Sequence, residues 1–359
     1  MPAKVLFSAV LSVFVFSVPD DAAAQHQPGS VGRIVEIKVP APALDSNLLD
    51  TPTIQDAAVY LPPGYDGQAD RRFPVLYLLH GIFDDYGVWT EHFDVPSVLD
   101  RLIAEQVIPE MIVVMPNAGN RYGGGYYRNS AVSGNWADYI ADDLVGYVDA
   151  SWRTLPSDGS RAVVGHSMGG YGALNLAMNR PDVFSVVWAQ SPCCLSPRDD
   201  LGFGNDAWKR AAAVKGPEDI QSLINSRDFY PVAFLGVVTA FSADPNAGPI
   251  YGNFPFDVVR GEIVLDDAAF DLYADRFPIR QVGHARDALR GLRGLGVGVG
   301  LDDQFLHIPA GALEFSHRLG TERIPHRLDV YDGDHREFVA ERLEEIVFPW
   351  VAERLVVDE

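Results

Sequence analysis

Residues 161–179 read RAVVGHSMGGYGALNLAMN, and this stretch decides the fold. Arg161 to Gly165 is a short apolar run of strand character. Gly169 to Asn179 is helical in character and stops at Arg180-Pro181, because proline disfavours helical geometry in the residue before it. Between them, Gly165-His166-Ser167-Met168-Gly169 is a G-x-S-x-G turn in strand-to-helix context. Small residues at both ends allow a sharp reversal that lifts the Ser167 hydroxyl clear of the backbone and sets it at a helix N-terminus. Ser167 is therefore the candidate nucleophile. Gly170 and Gly172 permit the following helix to pack closely, which an ordinary glycine-rich turn does not require.

The same alternation extends outward. Val31 to Val39, Ala57 to Leu61, Pro74 to Leu79, Met111 to Met115, Val183 to Gln190, Leu295 to Leu301 and Arg327 to Tyr331 read as strands. Val98 to Glu105 and Asp138 to Trp152 read as helices, and Arg336 to Leu355 as a terminal helix bent near Pro349. Nearly continuous apolar strands such as Pro74 to Leu79 suit the covered interior of a parallel sheet. The expected fold class is α/β, a mostly parallel central sheet with helices on both faces. Residues 197–289 break the rhythm, and a connection of that length predicts an inserted cap after the sixth core strand. No internal repeat or linker divides the chain, so residues 25–359 are expected to form one catalytic domain.

Composition narrows the function. The 359 residues are 47% hydrophobic and 21% charged, which suits a packed domain and excludes a disordered tail. Lys and Arg total 28 against 49 Asp and Glu, a net charge of −21, so the overall field repels nucleic-acid phosphates and anionic lipid. Lys4, the apolar run Val5 to Val18 and Ala22-Ala23-Ala24 occur in the order of a signal peptide over residues 1–24. Export to the periplasm or beyond is expected, with no stable membrane insertion after cleavage. Cys193 and Cys194 are adjacent, which fits neither a disulfide scaffold nor a spaced zinc site. Reduced packing is expected of them, with a strained disulfide as the alternative.

A serine hydroxyl needs a base, and the base needs an orienting acid. His335 follows the strand Arg327 to Tyr331, where the last member of the order nucleophile, acid, histidine is expected. Asp303 and Asp302 follow the strand Leu295 to Leu301; Asp303 is favoured and Asp302 is kept as the alternative acid. The backbone N–H groups of Met168 and Ile82 are the candidate oxyanion donors, and His80 a support of the turn that carries Ile82. Trp89, Tyr122, Tyr126, Tyr127, Phe254 and Phe256 are candidates for an aromatic substrate pocket. The chemistry calls for no metal and no organic cofactor.

These residues resemble the esterase family of α/β-hydrolases that includes esterase D-like enzymes, feruloyl and acetylxylan esterases, enterochelin esterases and mycolyltransferases. The resemblance rests on Tyr60-Leu61-Pro62-Pro63-Gly64-Tyr65, Leu78-Leu79-His80-Gly81 with Trp89, Met115-Pro116-Asn117, the Ser167 elbow through Ala173, and Tyr331-Asp332-Gly333-Asp334-His335. It implies an α/β-hydrolase fold, a Ser167, Asp303, His335 triad with Ile82 and Met168 as oxyanion donors, and carboxylic ester substrates. Small-molecule or carbohydrate-linked esters are the expected partners, with aryl, hydroxycinnamoyl and acetylated sugar esters among the classes. An acyltransferase on the same site and a non-catalytic binding protein on the same scaffold are the alternatives.

Overall fold

Val75–Leu79 is buried at all five positions because it lies in the middle of an eight-stranded sheet, covered on both faces. The structure, a computed structural model, describes residues 31–358; the signal-peptide expectation for residues 1–24 falls outside the described residues. The sheet comprises β1 (Arg33–Pro40), β2 (Ile54–Leu61), β3 (Val75–Leu79), β4 (Ile112–Pro116), β5 (Arg161–His166), β6 (Val186–Gln190), β7 (Gly294–Gly300) and β8 (Arg327–Tyr331). Their spatial order is β1-β2-β4-β3-β5-β6-β7-β8, and β2 alone runs against its neighbours. Register pairs Leu79 with Gly165, Gly165 with Ala189, and Gly300 with Tyr331, so the carboxyl ends of the parallel strands share one edge. Open α/β sheets bind ligands at that edge.

The glycine-rich run of β7 has a packing reason. A Cβ at Gly296 would overlap the Trp188 ring of β6, and one at Gly298 would overlap the Gln190 side chain. Large residues on one strand are matched by none on the next.

Two apolar layers cover the sheet. On one face the helix Val95–Ala104 buries Val95, Val98, Leu99, Leu102 and Ile103 beside the C-terminal helical segments. Those segments are Val339–Arg342, a π turn over Leu343–Val347, and Phe348–Ala352. Pro349 has no N–H to continue the regular ladder, and the wide turn precedes it, which replaces the simple bend expected from sequence. On the other face the helix Met168–Asn179 is buried along nearly its whole length.

Between β6 and β7 the chain forms mainly helices, with one hairpin pairing Phe256–Val259 with Glu262–Leu265. Its interior is aromatic: Trp208 stacks on Phe234 at 3.9 Å, and Phe254, Phe256 and Tyr273 close around Trp208. The helix Phe229–Phe241 is apolar on all sides because it is enclosed by this cluster and by the loop before Asn135. Tyr126 Oη donates to Ala233 O at 3.3 Å and Ser130 Oγ to Thr239 O at 2.7 Å, tying that helix to the core. A helix for which the sequence offers no expectation, His307–Thr321, follows β7; it buries Ile308, Gly311, Ala312, Phe315 and Leu319. Among the described residues no helix is long and apolar enough to cross a membrane.

Candidate active site

The turn after β5 dictates the position of Ser167. Its backbone sits at φ 56° and ψ −116°, a strained conformation for a residue with a side chain. The strain is held from three sides: Ser167 N–H donates to Gln190 O at 3.0 Å, while Ser167 O accepts from Tyr171 N–H at 3.0 Å and Cys193 N–H at 3.1 Å. The flanking glycines have no room for side chains. A Cβ at Gly165 would strike the Gly169 carbonyl, and one at Gly169 would strike that of Leu79. Met168 begins the helix, so its N–H has no partner within it, and Ile82 N–H is likewise uncommitted among the described residues. The helix N-terminus adds a favourable partial charge for a developing oxyanion.

His80 holds the turn that carries Ile82. Its Nε2 accepts from Ala118 N–H at 2.9 Å, which leaves the proton on Nδ1 to be donated to Gly81 O at 2.7 Å. Burial pushes the His80 pKa down, in keeping with a neutral ring. Tyr127 Oη donates to the His80 carbonyl at 3.1 Å.

The loops after β7 and β8 bring Asp303 to His335. Asp303 Oδ2 lies 2.7 Å from His335 Nδ1, and Asp303 Oδ1 accepts from Phe305 N–H at 2.9 Å. The Asp303 side chain is fully buried, whereas Asp302 is exposed and its backbone N–H bonds to Gly333 O at 3.0 Å. His335 is fixed through its backbone as well: its carbonyl accepts from His166 Nε2 at 2.8 Å. His166 serves as that donor in its neutral form, because burial first and the nearby His335 second push its pKa well below the ordinary value.

Ser167 and His335 line one cavity of about 310 Å³. Its walls are chiefly apolar: Phe229, Phe234 and Val237 come from the inserted helix, and Phe305 and Ile308 from the segment after β7. Of the six aromatic residues expected in the pocket, only Tyr126 contributes to it. Trp89 packs against Phe93 on the opposite face of the sheet, and Tyr122 is buried within the larger core cluster. Tyr127 is directed to His80, while Phe254 and Phe256 are used up in the interior of the insertion. Sequence reading missed Phe229, Tyr230, Phe234, Phe305 and His307, because no local pattern shows which faces of the insertion and of the segment after β7 meet the serine. The Cys193 and Cys194 thiols are free and form part of the same wall.

The mouth is built differently. Phe83, half exposed with φ 62°, meets the Phe229 ring edge-on at 5.6 Å. Arg336 binds both oxygens of Asp84 at 2.7 Å, joining the histidine loop to the turn that carries Ile82. Two open clefts start from Phe83 and Asp84, one bordered by Asp85, Glu91 and His92, the other by Asp50, Asn120 and Arg121. An apolar chamber thus opens onto polar ground beside the serine.

A strand order with only the second strand reversed, a serine on the turn after β5 and a histidine after the last strand define an α/β-hydrolase. Residues 53–339 match the family described as "Putative esterase", and the chain belongs to that family. Two esterases of Mycobacterium tuberculosis, Esterase MT1326 and Esterase Rv1288, are each 27% identical to it over 281 residues, covering 77% of this chain and 51% of theirs. The chain thus spans about half the length of these curated relatives. Among solved structures, a ferulic acid esterase superposes with a TM-score of 0.63 at 21% identity, covering 91% of this chain and 99% of its own. An S-formylglutathione hydrolase from Agrobacterium tumefaciens gives 0.59 at 18%, covering 93% and 99%. At these identities the likeness is one of fold.

Proposed function

We propose that the chain is an exported serine esterase that cleaves esters of aromatic carboxylic acids through Ser167, His335 and Asp303. The observation that carries this reading is the meeting of a strained serine and a buried carboxylate-bound histidine in the wall of one apolar cavity. His335 Nε2 takes the Ser167 proton as Oγ attacks the acyl carbon, and the oxyanion is received by the N–H groups of Met168 and Ile82. Collapse of that intermediate expels the alcohol, which takes the proton from His335. Water deprotonated by His335 then attacks the acyl-enzyme, and its collapse releases the acid and restores Ser167. The apolar chamber suits a flat acyl group, and the polar clefts at the mouth suit a hydroxyl-rich alcohol such as a sugar. Residues 197–289 act as a cap in this reading, and residues 1–24 as a cleaved leader.

The test is hydrolysis of aryl, hydroxycinnamoyl, acetyl-sugar and thioester substrates by wild type and Ser167→Ala, with fluorophosphonate labelling of both. Turnover is expected to be highest for the aromatic acyl esters and to fall by about 10⁴-fold or more without the serine. Equal turnover by the two proteins would sink the mechanism. Mass measurement of the exported protein tests cleavage after Ala24, and an intact leader would refute export by that route.

A further inference from the structure

The Ile82 N–H and the His335 ring stand on different loops, and one ion pair joins those loops. Ile82 lies in the turn over residues 81–84, which closes through Asp84 N–H donating to Gly81 O at 3.3 Å. The turn is held as well by His80 and by Phe83 N–H, which donates to Gly123 O at 2.9 Å. On the other loop, Asp334 Oδ1 accepts from Arg336 N–H at 2.8 Å and from Glu337 N–H at 2.7 Å, so the backbone just after His335 is bent tightly. From that bend the Arg336 side chain crosses to Asp84, reaching each carboxylate oxygen at 2.7 Å over a separation of 252 residues. Among the described residues no other hydrogen bond or ion pair runs directly from residues 81–84 to residues 332–337.

Folding stability does not account for the pair. The Arg336 side chain is 44% exposed, and an ion pair so placed is screened by water and adds little to stability. Its place is what distinguishes it: both partners border the apolar cavity and also the cleft of Asp85, Glu91 and His92, at the rim through which Ser167 is approached. A Cβ at Gly81 would come to 3.0 Å from Asp84 Oδ2 and 3.4 Å from Ser167 Cβ, so the carboxylate lies against the same glycine that faces the nucleophile. A shift of Asp84 is therefore passed to Ile82 within the turn. Transition-state stabilisation depends steeply on such placement, since a displacement of about 1 Å can cost on the order of 100-fold in rate.

We propose that Arg336 and Asp84 are positioning residues: their pair fixes the Ile82 N–H at the spacing from His335 that the tetrahedral intermediate requires, and it acts on kcat rather than on KM. This rests on the esterase reading above. Neither residue touches the reacting bond in this scheme. Attack places the proton on His335 and the negative charge beside Ile82 in one step, so the two loops must keep their spacing while charge develops between them. A substrate-binding role differs in its signature, because a contact made equally to ester and transition state appears in KM.

The experiment measures hydrolysis of a p-nitrophenyl ester by wild type, Arg336→Met, Arg336→Lys, Asp84→Asn and the double variant of Arg336→Met with Asp84→Asn. Met keeps the apolar stem and removes the charge, whereas Lys keeps the charge on a single donor. In Arg336→Met, kcat is expected to fall by about tenfold with KM within about twofold of wild type, and in Arg336→Lys to recover in part. The double variant is expected to be no slower than Arg336→Met, because the same interaction is lost only once. Arg101→Met is the control: Arg101 is 46% exposed, binds Glu344 at 2.6 and 2.7 Å outside the cavity wall, and its loss is expected to leave kcat unchanged. Calorimetric binding of benzeneboronic acid reads the same placement without turnover. Ser167 Oγ adds to boron as its proton passes to His335, and the affinity is expected to fall in Arg336→Met by about the factor seen in kcat. A kcat within about twofold of wild type in Arg336→Met, a loss carried by KM, or an equal loss in Arg101→Met overturns the proposal. Absent turnover with a boronate affinity that falls in Arg336→Met counts against the esterase reading, whereas turnover through Ser167 with an unchanged boronate affinity counts against the pair.

Discussion

Replacing Asp303 by Asn tests the triad most sharply, because the surroundings of the carboxylate leave the amide no good orientation. One carboxylate oxygen accepts from Phe305 N–H at 2.9 Å and the other faces His335 Nδ1 at 2.7 Å. Both positions demand acceptors, and an amide supplies only one. If its oxygen stays with Phe305, the amide N–H₂ confronts Nδ1; His335 then moves its proton to Nε2 and cannot take one from Ser167. If the amide flips, its N–H₂ opposes the Phe305 N–H inside a buried site, leaving a donor unpaired at a cost of about 1–3 kcal/mol. Either way the imidazolium that forms during attack loses its counter-charge. A loss of about 10⁴-fold in kcat is expected, about 5.4 kcal/mol of transition-state stabilisation at 1.36 kcal/mol per decade. The assay is steady-state hydrolysis of a p-nitrophenyl ester at neutral pH, with urea unfolding as the check on stability. Asp302→Asn is the control: that residue is exposed, and its rate is expected to stay within about twofold. The reasoning is refuted if Asp303→Asn keeps a tenth of the activity, or if Asp302→Asn loses as much.

Gly169→Ala drives a methyl group into the Leu79 carbonyl and to 2.9 Å from that of His80, so about 1–3 kcal/mol of stability should be lost in urea unfolding. Because those carbonyls lead into Ile82, kcat should fall by about 10²-fold or more; unchanged values of both would count against a tight elbow. His80 and His166 are buried with lowered pKa values, so the unfolded chain binds more protons than the folded one once pH drops below the ordinary 6.5. Stability is therefore present in full above that value and declines as pH falls from it toward the depressed folded pKa values, by at most about 1.4 kcal/mol per pH unit for each histidine. His166→Gln, which retains a donor to the His335 carbonyl, should flatten this slope in chemical denaturation followed from pH 7 to 5. Arg336→Ala breaks a pair whose arginine is 44% exposed, and its stability change is expected to stay under about 1 kcal/mol; a larger loss would show that solvent does not screen it.

What was legible in the sequence follows from how each feature is encoded. β3, β4 and β5 are covered on both faces, so their burial is written as uninterrupted apolar runs, and the serine turn is written in glycines that cannot be exchanged. Asp302 and Asp303 are chemically identical neighbours, and only the turn after β7 decides which faces inward. The pocket was misread because an aromatic side chain states that it will be buried and not where: Trp89 went to the far face of the sheet, and Phe254 and Phe256 to the heart of the insertion. The helix Phe229–Phe241 is apolar on every side, so its periodicity marks no cavity face. His307 meets Asp200 across 107 residues, a pairing no local pattern contains. The helix His307–Thr321 was hidden by Pro309, Gly311 and Gly320, whose weak helical preferences are overridden by packing against β7.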